Sequence, residues 1–158
     1  MKEWHYENEW FEESNISRKI KDYLEKKEYK ITKFNADKKT KGHDIEAEKD
    51  IPEKGSSKFI FEIKGFPSDK YVSGKKMGKK KPTNPNLQAK HWFAEALLSL
   101  IIAKSENPKI NIAMGLPFKE KYKELINKIT YFRKQFDLTF YLVDENGNIK
   151  EIGGNENV

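Results

Sequence analysis

Phe59-Ile60-Phe61-Glu62-Ile63-Lys64-Gly65, with Gly42-His43-Asp44-Ile45 a short way upstream, is the stretch whose reading decides this chain. Side chains in a strand alternate between two faces, so Phe59, Phe61 and Ile63 share one and Ile60, Glu62 and Lys64 share the other. A carboxylate and an ammonium two residues apart then leave an apolar strand on the same side. Unpaired charge buried in a protein costs several kcal/mol, so charges at such positions call for a partner or a task.

Working outward, residues 44–48 read as a second strand that opens with Asp44 and turns Ile45 and Ala47 inward. Residues 50–57, with Pro52, Gly55 and two serines, carry turn chemistry, so this strand and the Glu62 strand are expected to form a hairpin. Further back, residues 29–34 alternate as a first strand. Before them Ile16, Ile20 and Leu24, with Tyr23 beside them, mark the buried stripe of a helix spanning about residues 7–27. The stripe extended backwards reaches Glu13 and then Glu9.

Beyond Gly65, residues 66–86 are rich in glycine, proline and lysine and read as a flexible connection. Asn84-Pro85 then caps and starts a helix. Leu87, His91, Ala94, Leu98 and Ile101 lie along one side of it, and Phe93, Leu97 and Ile102 make it apolar around much of its circumference, which predicts a central helix. A fourth strand over 110–117, a helix carrying Tyr122, Leu125, Ile126, Ile129 and Phe132, and a fifth strand over 138–143 follow. Residues 145–148 turn the chain into a last short segment. The expectation is an α/β fold in one domain, 1–158: a single mixed sheet flanked by helices in the order α-β-β-β-α-β-α-β. Residues 1–8 and 153–158 would be peripheral, and 67–86 a basic flexible loop.

At 36% hydrophobic and 35% charged residues the composition is polar but globular, and 158 residues suffice for one real core. No apolar run approaches the roughly 20 residues that cross a bilayer, and the first residues lack the apolar core of a secretory signal. With no cysteine in the chain, thiolate metal sites and disulfides are excluded. The expected compartment is the cytoplasm, with no membrane partner. Any metal would be held by oxygen or imidazole, and oxygen-rich sites favour magnesium, manganese or calcium. A formal net charge of +6 suits a polyanion. Only Arg18 and Arg133 are arginines, however, and general lysine richness can also reflect genomic base composition.

Hydrolysing a phosphodiester calls for a divalent ion to activate water and for a cation near the nucleophile or the phosphoryl group. Asp44 and Glu62 on neighbouring strands could share one hard ion, the Ile63 carbonyl could add an oxygen, and Lys64 could orient the water. At these residues the chain resembles the PD-(D/E)XK nuclease superfamily, the restriction-endonuclease-like fold. Asp44 matches the family's strand-opening Asp, Glu62 and Lys64 its Glu-x-Lys, and Gln88 the glutamine often carried by the next helix. The order of elements from about residue 9 to 143 is similar too. The resemblance implies that Asp44 and Glu62 bind a magnesium or manganese ion and that Lys64 positions the attacking water. Gln88 and a first-helix acid would support the site, and DNA would be the substrate. A homodimer, or a place in a larger DNA-processing complex, is compatible with it. His43 and Gly42, rather than a proline, precede Asp44. The first-helix acid is open among Glu9, Glu12 and Glu13, with Glu13 favoured because it continues the buried stripe.

Each residue has a plainer reading. Glu62 and Lys64 could be a solvated cross-strand pair, Asp44 a turn residue, Gln88 a polar first-turn residue, and Glu13 an acid drawn to a helix N-terminus by the dipole. A non-catalytic relative that binds nucleic acid or a partner is the alternative function. His43 adjoins Asp44 and could contact phosphate, while His91 reads as packing. Lys70, Lys75, Lys76, Lys79, Lys80, Lys81 and Lys90 are the candidate substrate contacts, each neutralised phosphate adding counterion release. Tyr71 and Trp92 could stack on bases.

Overall fold

The two hydrophobic periodicities resolve into one six-stranded mixed sheet flanked by helices. The structure is a computed structural model and describes residues 4–36 and 41–158; residues 1–3 of the N-terminal segment lie outside them. Strands β1 (Lys30–Phe34), β2 (Ile45–Ile51), β3 (Gly55–Ile63), β4 (Asn111–Pro117), β5 (Thr139–Val143) and β6 (Ile149–Ile152) lie side by side in chain order. The pairs β1–β2, β2–β3 and β5–β6 are antiparallel, and β3, β4 and β5 run parallel. Helix α1 (Glu13–Lys26) precedes β1, α2 (Pro85–Glu106) connects β3 to β4, and α3 (Glu120–Lys128) with α4 (Thr130–Phe136) connects β4 to β5. Parallel neighbours need such crossovers, whereas β2 and β3 close through a tight turn at Ile51 and Gly55.

Alternation along β3 divides the core. Ile45, Ala47, Phe61, Ile63, Ala113, Tyr141 and Val143 pack against Ile16, Ile20 and Leu24 of α1. Ile60, Ile112, Met114, Leu116, Phe140 and Leu142 turn to the other face, towards α2 and α3. Gly115 lets α1 come close: a Cβ there would lie 2.2 Å from Ile20 Cδ1 and 2.5 Å from Ile63 Cδ1.

Four features differ from the sequence expectation. Helix α1 starts at Glu13 rather than near residue 7, because the Glu12 side chain accepts hydrogen bonds from the Ser14 and Asn15 amides and caps it there. The helix after β4 breaks at Ile129, where two β-branched residues adjoin and the Thr130 hydroxyl donates to the Asn127 carbonyl at 2.7 Å. The last short segment is a sixth strand. In α2 the buried face is Ala89, Phe93, Ala96, Leu100 and Ala103, while Leu87 and Leu98 are each 57% exposed. The alanines recur every seventh residue and let the helix lie close to the sheet. A helix apolar all round gives the sequence no means to choose between faces.

Two long-range bonds tie down the segments around Tyr6 and Glu156. The Tyr6 hydroxyl donates to the Phe66 carbonyl at 2.6 Å, and the buried Arg133 donates through Nη2 to the Glu156 carbonyl at 2.7 Å. Among the described residues, no helix is long and apolar enough to cross a membrane.

Candidate active site

The C-terminal end of β3 carries the charges that its alternation foretells. Glu62 pairs in register with Met114 of β4, and the Lys64 amide, just past the strand, donates to the Gly115 carbonyl at 3.0 Å. Glu62 and Lys64 both leave on the α2 side. Asp44 stands immediately before β2, and its Oδ2 accepts from the Ile63 amide at 2.7 Å. Three charged side chains thus meet at the ends of two adjacent strands, and all are buried: Asp44 is 8% exposed, Glu62 9% and Lys64 8%.

Helix α2 supplies partners that the sequence reading did not single out. The Ser99 hydroxyl donates to Glu62 Oε1 at 2.8 Å, and Glu95 Oε2 lies 3.7 Å from Lys64 Nζ. His43 Nδ1 sits 2.5 Å from the same Glu62 Oε1. The signal for Glu95 and Ser99 was present: they are four residues apart on one helix face, and Ser99 interrupts an apolar run. Gln88 lies on that face two turns nearer the N-terminus, roughly 10 Å from Glu95 along the axis. Lys90 is exposed about half a turn round from Ser99, so the helix does not bring it to the site.

Glu13 enters from α1. Gly65 makes this approach possible, since a Cβ there would stand 2.6 Å from both the Glu13 nitrogen and the Phe11 carbonyl oxygen. The Gly65 carbonyl accepts from the buried Tyr122 hydroxyl at 2.6 Å, and the Phe66 amide donates to the Phe11 carbonyl at 2.9 Å, clamping the turn after Lys64. Of the three first-helix acids, Glu12 is the cap and Glu9 accepts from the Trp4 indole at 2.6 Å, whereas the charge of Glu13 is felt at Asp44.

Electrostatics follow from this crowding. Burial pushes the Asp44 carboxyl up to about 7, opposed by its bond from the Ile63 amide, with the Glu62 and Glu13 charges raising it and Lys64 lowering it. The hydrogen bond with Glu62 raises His43 against the opposing effect of burial.

The donor chemistry fits a hard divalent cation: two carboxylates in a buried pocket, one of them raised by burial so that a nearby positive charge would favour its ionised form. The bonds described use Asp44 Oδ2 and Glu62 Oε1. Among the described residues, no group of three or more His, Cys, Asp or Glu side chains is arranged to hold a metal ion. A third donor would therefore come from backbone, such as the Ile63 carbonyl, or from water. Beside the pocket, a cleft of about 290 Å³ is lined by His43, Glu95, Leu98, Ser99, Ile102 and Glu106 among others.

The candidate substrate lysines lie beyond Gly65. Residues 69–81 fold back as a hairpin: Lys70 bridges Lys80, the Tyr71 amide donates to the Lys79 carbonyl at 2.9 Å, and the Lys81 amide donates to the Asp69 carbonyl at 2.7 Å. Lys75, Lys76, Lys79 and Lys80 are exposed, and Lys70 and Lys81 half-buried.

No family model, no curated protein and no solved structure matches the chain.

Proposed function

We propose that this chain is a divalent-metal-dependent nuclease of restriction-endonuclease-like fold that hydrolyses DNA phosphodiester bonds in the cytoplasm. The observation that carries the reading is the convergence of Asp44, Glu62 and Lys64, all buried, at the adjoining ends of β2 and β3. Three ionisable groups collected in a small domain's interior are costly unless they act on something. Their position at the C-terminal end of a strand in a parallel set is also where open α/β sheets bind ligands.

Asp44 and Glu62 would hold the ion, magnesium or manganese. When bound, the ion supplies Lewis-acid stabilisation of the phosphoryl oxygens and a more acidic water. The chain's own residues do the rest. Ser99 and His43 fix the Glu62 carboxylate, and the Ile63 amide fixes that of Asp44. Lys64, restrained by Glu95, orients the water whose oxygen attacks phosphorus as the phosphorus–oxygen ester bond breaks. Glu13 supports the site from α1.

A second reading, a non-catalytic nucleic-acid-binding relative, is favoured by one feature: Glu62 and Lys64 each already have a protein partner. The test is cleavage of linear, supercoiled, branched and single-stranded DNA by purified protein with magnesium or manganese. Metal-dependent strand scission supports the nuclease. Salt-sensitive binding without scission under any of these conditions supports the second reading.

A further inference from the structure

Charge is not spread evenly over this chain. Of the formal net charge of +6, residues 69–81 carry +5, six lysines against Asp69 alone, which leaves +1 for all the rest. The net basicity is therefore concentrated in one hairpin, while the many lysines elsewhere are nearly balanced by acids.

The hairpin holds these charges together against their repulsion. Lys70 and Lys80 are directly opposed across its antiparallel bridge, where like charges destabilise. Six hydrogen bonds from backbone amides, between 2.7 and 3.0 Å, keep it closed: Lys70 to the Ser68 hydroxyl, and to carbonyls Tyr71 to Lys79, Gly78 to Tyr71, Lys81 to Asp69, Met77 to Gly74 and Lys79 to Lys76. Gly74 and Gly78, at φ +75° and +77°, make its turns. Its root is fixed as well, because Pro67 and Ser68 are buried directly after the clamped Gly65–Phe66 turn. A segment that breaks a local rule while the surrounding structure enforces it is the mark of a binding element.

The hairpin's aromatic neighbours serve its own cations. Lys76 Nζ lies 5.7 Å from the Tyr71 ring centre and Lys70 Nζ 5.0 Å from that of Trp4. Both rings are thus engaged by ammonium groups of the hairpin itself.

We infer that residues 69–81 form a preordered, metal-independent site for the phosphate backbone of duplex DNA, which reads neither base sequence nor unpaired bases. The site supplies most of the chain's electrostatic affinity for nucleic acid. It does not depend on the Asp44–Glu62–Lys64 pocket being catalytic.

The test is fluorescence anisotropy of the full chain with labelled DNA in EDTA, over a salt series. Wild type should bind duplexes of unrelated sequence equally, with a steep fall in affinity as salt rises. Replacing Lys79, Lys80 and Lys81 together by glutamine should weaken binding tenfold or more at low salt. It should also flatten the log–log salt slope by about 0.9 for each phosphate that is no longer neutralised. The matching arginine triple should restore both, and circular dichroism should show all three proteins folded. A glutamine triple with wild-type affinity and slope overturns the inference. So does tighter binding of single strands than of duplex, or equal competition by polyglutamate at matched charge, which would point to an acidic protein partner. Because EDTA removes any metal, binding here with no cleavage in magnesium would leave this inference standing while the nuclease reading falls.

Discussion

The two faces of β3 pose opposite problems to the same strand. Towards α1, Phe61 and Ile63 meet Ile16, Ile20 and Leu24 in a dry layer with no exposed atoms to speak of. Towards α2, the alternate residues Glu62 and Lys64 are nearly as buried but are surrounded by Ser99, Glu95 and His43. One face stabilises through apolar area removed from water, about 25 cal/mol per Å². The other consumes part of that stability to keep charges out of water. The dry face is the foundation, and the charged face is what it supports.

Four stability experiments sharpen this contrast. The largest expected effect belongs to the charged face and depends on pH. Asp44 in the folded protein titrates near 7, well above its unfolded value, so the folded state binds more protons than the unfolded state between about pH 4 and 7. Asp44's contribution to the stability of the metal-free protein should therefore be greatest at the acidic end of this window and fall as pH rises through 7. At about 1.4 kcal/mol per pKa unit the fall could reach about 4 kcal/mol. Asp44→Asn should flatten it in denaturant titrations across that range, and magnesium should restore stability mainly above pH 7. A wild-type curve rising from pH 4 to 7 with no Asp44 contribution would contradict the burial of this carboxylate.

Next comes the dry face. Ile20→Ala should cost about 3 kcal/mol at every pH, since it opens a cavity between α1 and the sheet. Gly115→Ala should cost about 2 kcal/mol by overpacking, because the new methyl would meet the Ile20 and Ile63 termini. Smallest is Ser99→Ala, which removes one donor from Glu62 and should cost about 1 kcal/mol in thermal or chemical unfolding. Its effect on metal affinity should be larger than its effect on stability, as isothermal titration would show, because it leaves His43 alone to orient the Glu62 carboxylate.

The same contrast explains what could be read from sequence. Period-two alternation placed Phe61 and Ile63 on one side and Glu62 and Lys64 on the other, and the structure has them so. The Ile16, Ile20 and Leu24 stripe found its face for the same reason: a helix polar on one side declares its buried side. Helix α2 was illegible in that respect, being apolar all round, and it buries its alanines while leaving Leu87 and Leu98 in solvent. With its face undetermined, Glu95 and Ser99 could not be aimed at Lys64 and Glu62. The start of α1 at Glu13 turns on the Glu12 cap and the break at Ile129 on one local hydroxyl–carbonyl bond, neither of which periodicity encodes. Gly65 was visible only as a glycine, since its task is to admit the backbone of Phe11 and Glu13, far away in sequence.

The claim that the buried charges of β2 and β3 form a hydrolytic metal site is tested most directly by nicking of supercoiled plasmid, comparing wild type with Lys64→Ala at matched folded concentration. The account predicts scission in magnesium or manganese, none in EDTA, and a loss of at least about a hundredfold in rate for the variant, within the range by which positioned groups accelerate such steps. A wild type that nicks nothing with either ion, or a Lys64→Ala protein that nicks as fast as wild type, would contradict it.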